Sequence, residues 1–231
     1  MQFRFGVNKM FRILETKEHI LADNEATAAL TRAQMEKDGV VLVNLMGSPG
    51  AGKTSALQRL IALLGSEYRI GVMEADVDSD VDAKTIAETG ARVIQLHTAG
   101  LCHMDADMTR RGLEAMGIDG LDLIFLENIG NLVCPAEFEI GADVRLMLLS
   151  VPEGDDKPLK YPLMFSVSNI LLFNKMDTLP VFDFDVEKAT ARAKALNPDI
   201  EVFPVSAKTG NGFEPVAALL KEKLEQRRAQ A

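Results

Sequence analysis

Gly47-Ser48-Pro49-Gly50-Ala51-Gly52-Lys53-Thr54, followed by Ser55, is the segment whose spacing most directly implies chemistry. Glycines at 47, 50 and 52 let the backbone curl so that its N–H groups point inward at phosphate oxygens. In this pattern the lysine, Lys53, reaches the β- and γ-phosphates of a nucleotide, and the hydroxyl that follows, Thr54, ligates magnesium. A glycine-rich turn with an accidental Gly-Lys-Thr is the competing account. The apolar run before the loop and the helical pattern after it weigh against that account.

Asn174-Lys175-Met176-Asp177 follows the apolar run Ile170–Phe173. A carboxylate placed there accepts both the ring N–H and the exocyclic amine of guanine, and adenine presents the wrong donors at that edge. Ser206-Ala207-Lys208 follows another apolar run, at the spacing that brings a backbone N–H to the guanine carbonyl. An exposed loop with a solvated lysine is the bland alternative for that second segment. Together the two segments favour guanine, so GTP is the expected nucleotide.

Acidic groups must then hold magnesium and sense the γ-phosphate. One strand pattern ends in Glu74-Ala75-Asp76, with Asp78, Asp80 and Asp82 beyond it, and another ends in Glu127-Asn128-Ile129-Gly130. Carboxylates at strand ends suit magnesium or the waters of its shell, so Asp76 and Glu127 join Thr54 as expected ligands. Lys53, Asp82 and Glu127 are the expected catalytic set. Asp82 has an alternative role as a helix cap, while Asp78 and Asp80 are expected to be solvated. Gly130 can turn a loop toward the γ-phosphate. No arginine finger or catalytic glutamine stands beside these motifs, which predicts slow intrinsic hydrolysis suited to switching.

A softer donor set is Cys102-His103 with Cys134. Two buried thiols and a surface histidine are the alternative reading. Both segments leave strand ends on the nucleotide side, where thiolates and imidazole can converge. Such donors suit zinc, nickel or copper rather than magnesium or calcium. Three ligands do not close a tetrahedral site, whereas two subunits sharing it across a two-fold axis would. His97 is expected to be structural or to support a ligand, and His19 to be a solvated helix residue.

The elements that must position these groups alternate along the chain. Short apolar runs at Val40–Met46, Arg69–Glu74, Arg92–Leu96, Leu121–Glu127, Val144–Val151, Ile170–Asn174 and Glu201–Val205 read as buried strands. Helical patterns lie between them at Lys53–Leu64, Asp82–Glu88, Ala106–Met116, Asp185–Leu196 and Phe213–Arg228. This predicts an α/β fold of the P-loop NTPase kind, a mostly parallel twisted sheet with helices on both faces in three α/β/α layers. Ligands then gather at the carboxyl ends of the strands. Residues 1–38 read as a helical leader packed on the domain, with a helix over Glu18–Lys37, and residues 39–231 as the GTPase domain.

Bulk composition narrows the partners. The chain has 231 residues and a formal net charge of −9, which disfavours non-specific nucleic-acid binding. No apolar run is long enough to span a bilayer, and Met1–Arg12 builds no signal core. Two cysteines and no tryptophan argue against a disulfide scaffold, so a reducing cytoplasmic setting is expected.

Glu127-Asn128-Ile129-Gly130-Asn131-Leu132-Val133-Cys134-Pro135, with Cys102-His103 and the loop Gly47–Thr54, resembles the nickel-incorporation GTPases of hydrogenase maturation, the HypB family. Glu153-Gly154-Asp155-Asp156-Lys157-Pro158 and Lys160-Tyr161-Pro162 extend the resemblance, which runs from about Leu21 to the C-terminal helix. The related urease accessory GTPases carry a Cys-Pro-His motif that is absent here. The resemblance implies a GTP-dependent metallochaperone serving a nickel–iron hydrogenase precursor. It also implies a GTP-promoted homodimer with Cys102, His103 and Cys134 as the interfacial nickel or zinc site, Asp76, Asp82 and Glu127 near magnesium, and a small zinc-containing nickel chaperone as a partner. Some relatives carry N-terminal cysteine clusters or histidine-rich tracts. This chain has neither, so tight N-terminal nickel binding and storage are not expected. Against this stand a metal-independent regulatory GTPase acting through partner binding, and a small-molecule P-loop kinase, which the guanine motif disfavours.

Overall fold

The computed structural model describes residues 17–76, 81–98 and 100–230. Met1–Arg12, Asp78 and Asp80 lie outside the described residues, as does the side chain of His19. In chain order the elements are α1 (Lys17–Lys37), β1 (Val41–Gly47), α2 (Lys53–Leu64), β2 (Ile70–Asp76), α3 (Val81–Ala87), β3 (Arg92–His97), α4 (Ala106–Met116) and β4 (Leu123–Glu127). Then follow α5 (Cys134–Glu137), β5 (Val144–Ser150), α6 (Lys157–Lys160), α7 (Pro162–Val167), β6 (Ile170–Asn174), α8 (Val186–Leu196), β7 (Glu201–Pro204) and α9 (Phe213–Gln230).

The seven strands form one sheet in the order β3-β2-β4-β1-β5-β6-β7, and every pairing in it is parallel. Parallel strands buried on both faces read as continuous apolar runs, and all seven residues of β1 are buried. Successive side chains of β1 enter different cores. Val41, Val43 and Leu45 pack with Leu57, Leu60 and Leu64 of α2 and Val216, Leu220 and Leu224 of α9. Leu42 packs on the other side with Met35 of α1 and Leu113 of α4. A third cluster joins Met147, Leu149, Leu171 and Phe173 to Met164 and Phe165 of α7 and Ala189 and Ala193 of α8. This is the three-layer α/β/α arrangement expected.

Local chemistry sets the ends. The Asp105 carboxylate accepts from the Met108 N–H (2.8 Å) to start α4, and the Asp185 carboxylate accepts from the Lys188 N–H (2.9 Å) to start α8. Asn24 of α1 donates to the Glu139 carbonyl (2.8 Å) and accepts from the Ala106 N–H (2.8 Å), tying α1 to α4 and to the loop before β5. Some boundaries differ from the pattern reading. β2 continues through Glu74 to Asp76 because β3 pairs with it as far as His97, and β5 stops at Ser150 where a 3-10 turn, Val151–Glu153, takes over. No helix among the described residues is long and apolar enough to cross a membrane.

Candidate nucleotide and metal site

Every segment singled out for chemistry leaves the carboxyl end of a strand, so the groups share one rim. The phosphate loop springs from β1, the central strand between β4 and β5. Gly52 (φ +94) turns the chain into α2, and a Cβ there would sit 2.5 Å from Asn174 Nδ2; both facts demand glycine. Lys53 is largely buried, with its Nζ 3.4 Å from the Ser48 carbonyl. The Ser48 hydroxyl donates to the Glu153 carboxylate. That carboxylate also accepts from the Ser150 N–H (2.7 Å) and hydroxyl (2.6 Å), which anchors the loop to the end of β5. Pro49 and Gly50 are exposed, and Ala51 is buried beneath them.

Beside the loop lie two buried carboxyl groups. Glu127 ends β4, and the sheet register places it opposite Glu74 of β2. The Thr54 hydroxyl donates to Glu127 Oε1 (2.9 Å). Burial raises the pKa of Glu74 to about 10, with the charges of Glu127 and Asp82 adding to the effect. Burial also raises Glu127, to about 7, against the opposing pull of Lys53 and the Thr54 hydrogen bond. Glu74 Oε1 and Glu127 Oε2 are buried without a hydrogen-bond partner. Orphaned acidic oxygens beside a loop hydroxyl fit a hard divalent cation. Asp82 lies in the first turn of α3 and its charge reaches both carboxyls. Asp76 is half-buried at the end of β2.

The base-side motifs are stitched to the phosphate loop. Asn174 is buried, donates to the Ala51 carbonyl (2.9 Å) and accepts from the Ala207 N–H (3.0 Å). Lys175, in the left-handed region at φ 60, donates to the Gly50 carbonyl (2.6 Å). Asp177 Oδ1 accepts from the Ser206 hydroxyl (2.6 Å), and Lys208 Nζ lies 3.9 Å from its other oxygen. Arg59 of α2 donates to the carbonyls of Ala207 (2.8 Å) and Lys208 (2.9 Å). A cavity of about 690 Å³ opens here, with Gly52, Ser55, Asn174, Lys175, Asp177 and Lys208 in its walls. Its size is that of a small-molecule site.

The soft donors also meet. Cys102 Sγ and Cys134 Sγ are 3.1 Å apart, His103 Nδ1 is 3.7 Å from Cys102 Sγ, and both cysteines are free thiols. Ligand atoms of all three residues lie within 4.8 Å of one another. Burial lowers the His103 pKa, against the charges of Asp105 and Glu137, and the ring stacks on Phe138 at 3.9 Å. The downward shift favours the neutral imidazole, the form that ligates a metal. The hydrogen bond with Cys102 and burial raise the Cys134 thiol, while a hydrogen bond from Asn131 lowers it. His97 does not belong to this cluster.

Sequence reading missed several supporting residues. Glu74 was named at a strand end but given no role, because only the register with β4 shows that it faces Glu127. Glu153 stood only as part of a resemblance, and the structure makes it the anchor of Ser48. Arg59 carried no motif signal, and Asn131 stood only inside the resemblance motif Glu127–Pro135 with no role of its own.

A phosphate loop, a base pocket with a guanine-type Asp and a parallel sheet define a P-loop GTPase. The family model for the CobW/HypB/UreG nucleotide-binding domain matches residues 40–204. The chain is 43% identical over 229 residues to the hydrogenase maturation factor HypB of Azotobacter chroococcum mcd 1, covering 95% of this chain and 75% of that one. The crystal structure of HypB from Archaeoglobus fulgidus superposes with a TM-score of 0.82 at 36% identity, covering 88% of this chain and 99% of that one. HypB from Helicobacter pylori in complex with nickel gives 0.82 at 34% identity, covering 88% and 96%. The chain belongs to the HypB family of hydrogenase maturation factors.

Proposed function

We propose that this chain is a GTP-hydrolysing nickel chaperone that carries its cargo at Cys102, His103 and Cys134. The observation that carries the reading is the convergence of these three ligands on the rim that also holds the phosphate loop. The relative from Helicobacter pylori, solved with nickel, supports nickel as the cargo, and zinc fits the same donors. A second copy supplies the remaining ligands across a two-fold axis, so the functional unit is a homodimer promoted by GTP. The exposed side chains of Leu101 and Val133 beside the two cysteines suit such an interface.

Backbone N–H groups of Gly47–Thr54 cradle the phosphates, and Lys53 neutralises the charge of the β- and γ-phosphates. Thr54, Asp76 and Glu127 would hold magnesium, with Asp82 nearby, and the ion would neutralise charge on the phosphate oxygens. Asp177 selects guanine, kept in place by Ser206. Hydrolysis to GDP and phosphate is slow without a partner, as suits a switch. The small zinc-containing nickel chaperone and the hydrogenase large-subunit precursor are the expected donor and acceptor of nickel, in the cytoplasm. An acidic chain of net charge −9 is not built for nucleic acid.

Calorimetric titration of nickel and of zinc into the reduced protein, with a GTP analogue and with GDP, tests this reading. Stoichiometric binding should be lost in Cys102→Ala plus Cys134→Ala, and light scattering should show doubled mass with the analogue. Unchanged metal binding in the double variant removes these residues from the cargo site, and a monomer under all conditions removes the shared site.

A further inference from the structure

One side chain touches both cysteine-bearing segments, and its backbone is laddered to the phosphate loop. Asn131 donates its main-chain N–H to the carbonyl of Gly47 (3.0 Å), forming an isolated antiparallel bridge with the first residue of that loop. Its side-chain Nδ2 donates to the Cys102 carbonyl (3.2 Å). Its Oδ1 accepts from the N–H of Val133, the residue before Cys134 (2.9 Å).

The neighbouring residues leave this loop little freedom. A Cβ on Gly130 would lie 2.8 Å from Pro49, so the backbone before Asn131 is packed directly on the phosphate loop. Asn128, buried at the start of the same loop, accepts from the Met104 N–H (3.1 Å) and donates to Asn44 of β1 (3.1 Å). Gly130, packed on Pro49, thus adjoins Asn131, whose amide holds both the Cys102 carbonyl and the N–H just before Cys134 at the start of α5.

We propose that Asn131 is the positioning residue that couples nucleotide state to the spacing of Cys102 and Cys134, and hence to nickel affinity. This rests on the cargo-site reading given above. Asn131 does not ligate the metal or touch the phosphates. It acts through the Cys102 carbonyl and the Val133 N–H, so its effect belongs to the difference between nucleotide states. Coupling between two such sites typically spans about 5- to 150-fold in affinity and is reciprocal.

The test measures the nickel Kd of reduced full-length protein saturated with Mg-GMPPNP and with Mg-GDP, for wild type, Asn131→Ala and Asn131→Asp. Alanine keeps the main-chain bond to Gly47 and removes the side-chain links, while aspartate keeps the acceptor for Val133 and loses the donor to Cys102. Wild type should show Kd values differing by on the order of ten-fold between states. In Asn131→Ala the ratio should collapse toward one, with aspartate in between, and the effect of nickel on GMPPNP affinity should fall by the same factor. If Asn131→Ala weakens nickel equally in both states and keeps the wild-type ratio, the residue is only a local brace and the proposal is wrong. Equal wild-type Kd values in the two states would also overturn it, because there is then nothing to couple. Unfolding curves identify an alanine variant that fails to fold, in which case the aspartate ratio decides: a wild-type ratio refutes, a reduced one supports. Unchanged nickel binding in Cys102→Ala plus Cys134→Ala would instead refute the cargo-site reading itself.

Discussion

Glu127→Gln should stabilise the metal-free protein while removing its magnesium-dependent function. Glu127 is 5% exposed and faces Glu74 across two strands, with one oxygen unpartnered. Its pKa is raised from 4.5 to about 7. At 1.36 kcal/mol per pH unit this corresponds to about 3 kcal/mol. The sign follows from proton binding. The folded state holds the proton more tightly than the unfolded chain, so the contribution is full below pH 4.5 and is lost as pH rises through about 7. Glu74, raised to about 10, extends the same decline to higher pH. Glutamine cannot ionise, so at pH 8 it avoids this loss, less about 1 kcal/mol for a weaker hydrogen bond from Thr54. The net gain is about 2 kcal/mol, or roughly 4–8 °C in Tm for a chain of this size. Thermal unfolding followed by circular dichroism in EDTA at pH 8 and pH 5 measures it, and the gain should shrink at pH 5. Adding Mg-GMPPNP should then raise the Tm of wild type by mass action and raise that of the variant less, because the phosphate loop and base pocket remain while one magnesium ligand is lost. A variant no more stable than wild type at pH 8 would refute the idea that this carboxylate is held at a cost for a cation.

Asn174→Ala strands the Ala51 carbonyl and the Ala207 N–H, at about 1–3 kcal/mol for each group left unpaired; urea unfolding should show the loss, together with weakened GDP binding. Asp177→Asn should move base preference from guanosine toward xanthosine triphosphate by on the order of 100-fold or more, read by competition against a fluorescent nucleotide. Arg59→Ala frees the turn at Ala207 and Lys208 and should weaken GDP on the order of 3- to 10-fold, with nickel stoichiometry unchanged by calorimetry.

The central strands were legible because a sheet buried on both faces leaves near-continuous apolar runs such as Val41–Met46, broken only by Asn44, whereas the edge strands β3 and β7 are only partly buried. The long helices were legible by their spacing, as in Ala106–Met116, where the pattern and the observed element coincide. Short elements escaped notice, because α5, α6 and α7 span only 4, 4 and 6 residues, too few for a helical period to show. The nucleotide motifs were readable since each is contiguous. The meeting of Cys102, His103 and Cys134 could be foreseen from their places after strand ends and from the resemblance, and the fold brings their ligand atoms within 4.8 Å of one another. Glu74 depended on register between strands far apart in sequence, and Asn131 on hydrogen bonds to Gly47 and Cys102, both remote from it in sequence. Neither relation leaves a local trace.

The most direct test of the account is the near-ultraviolet absorption of the reduced protein titrated with nickel in the presence of Mg-GMPPNP. Cys102 and Cys134 as ligands predict a thiolate-to-nickel charge-transfer band that saturates at a fixed stoichiometry, falls in either single alanine variant and disappears in the double variant. Stoichiometric nickel binding without that band, or a band that survives loss of both cysteines, would contradict the claim that this rim carries the metal.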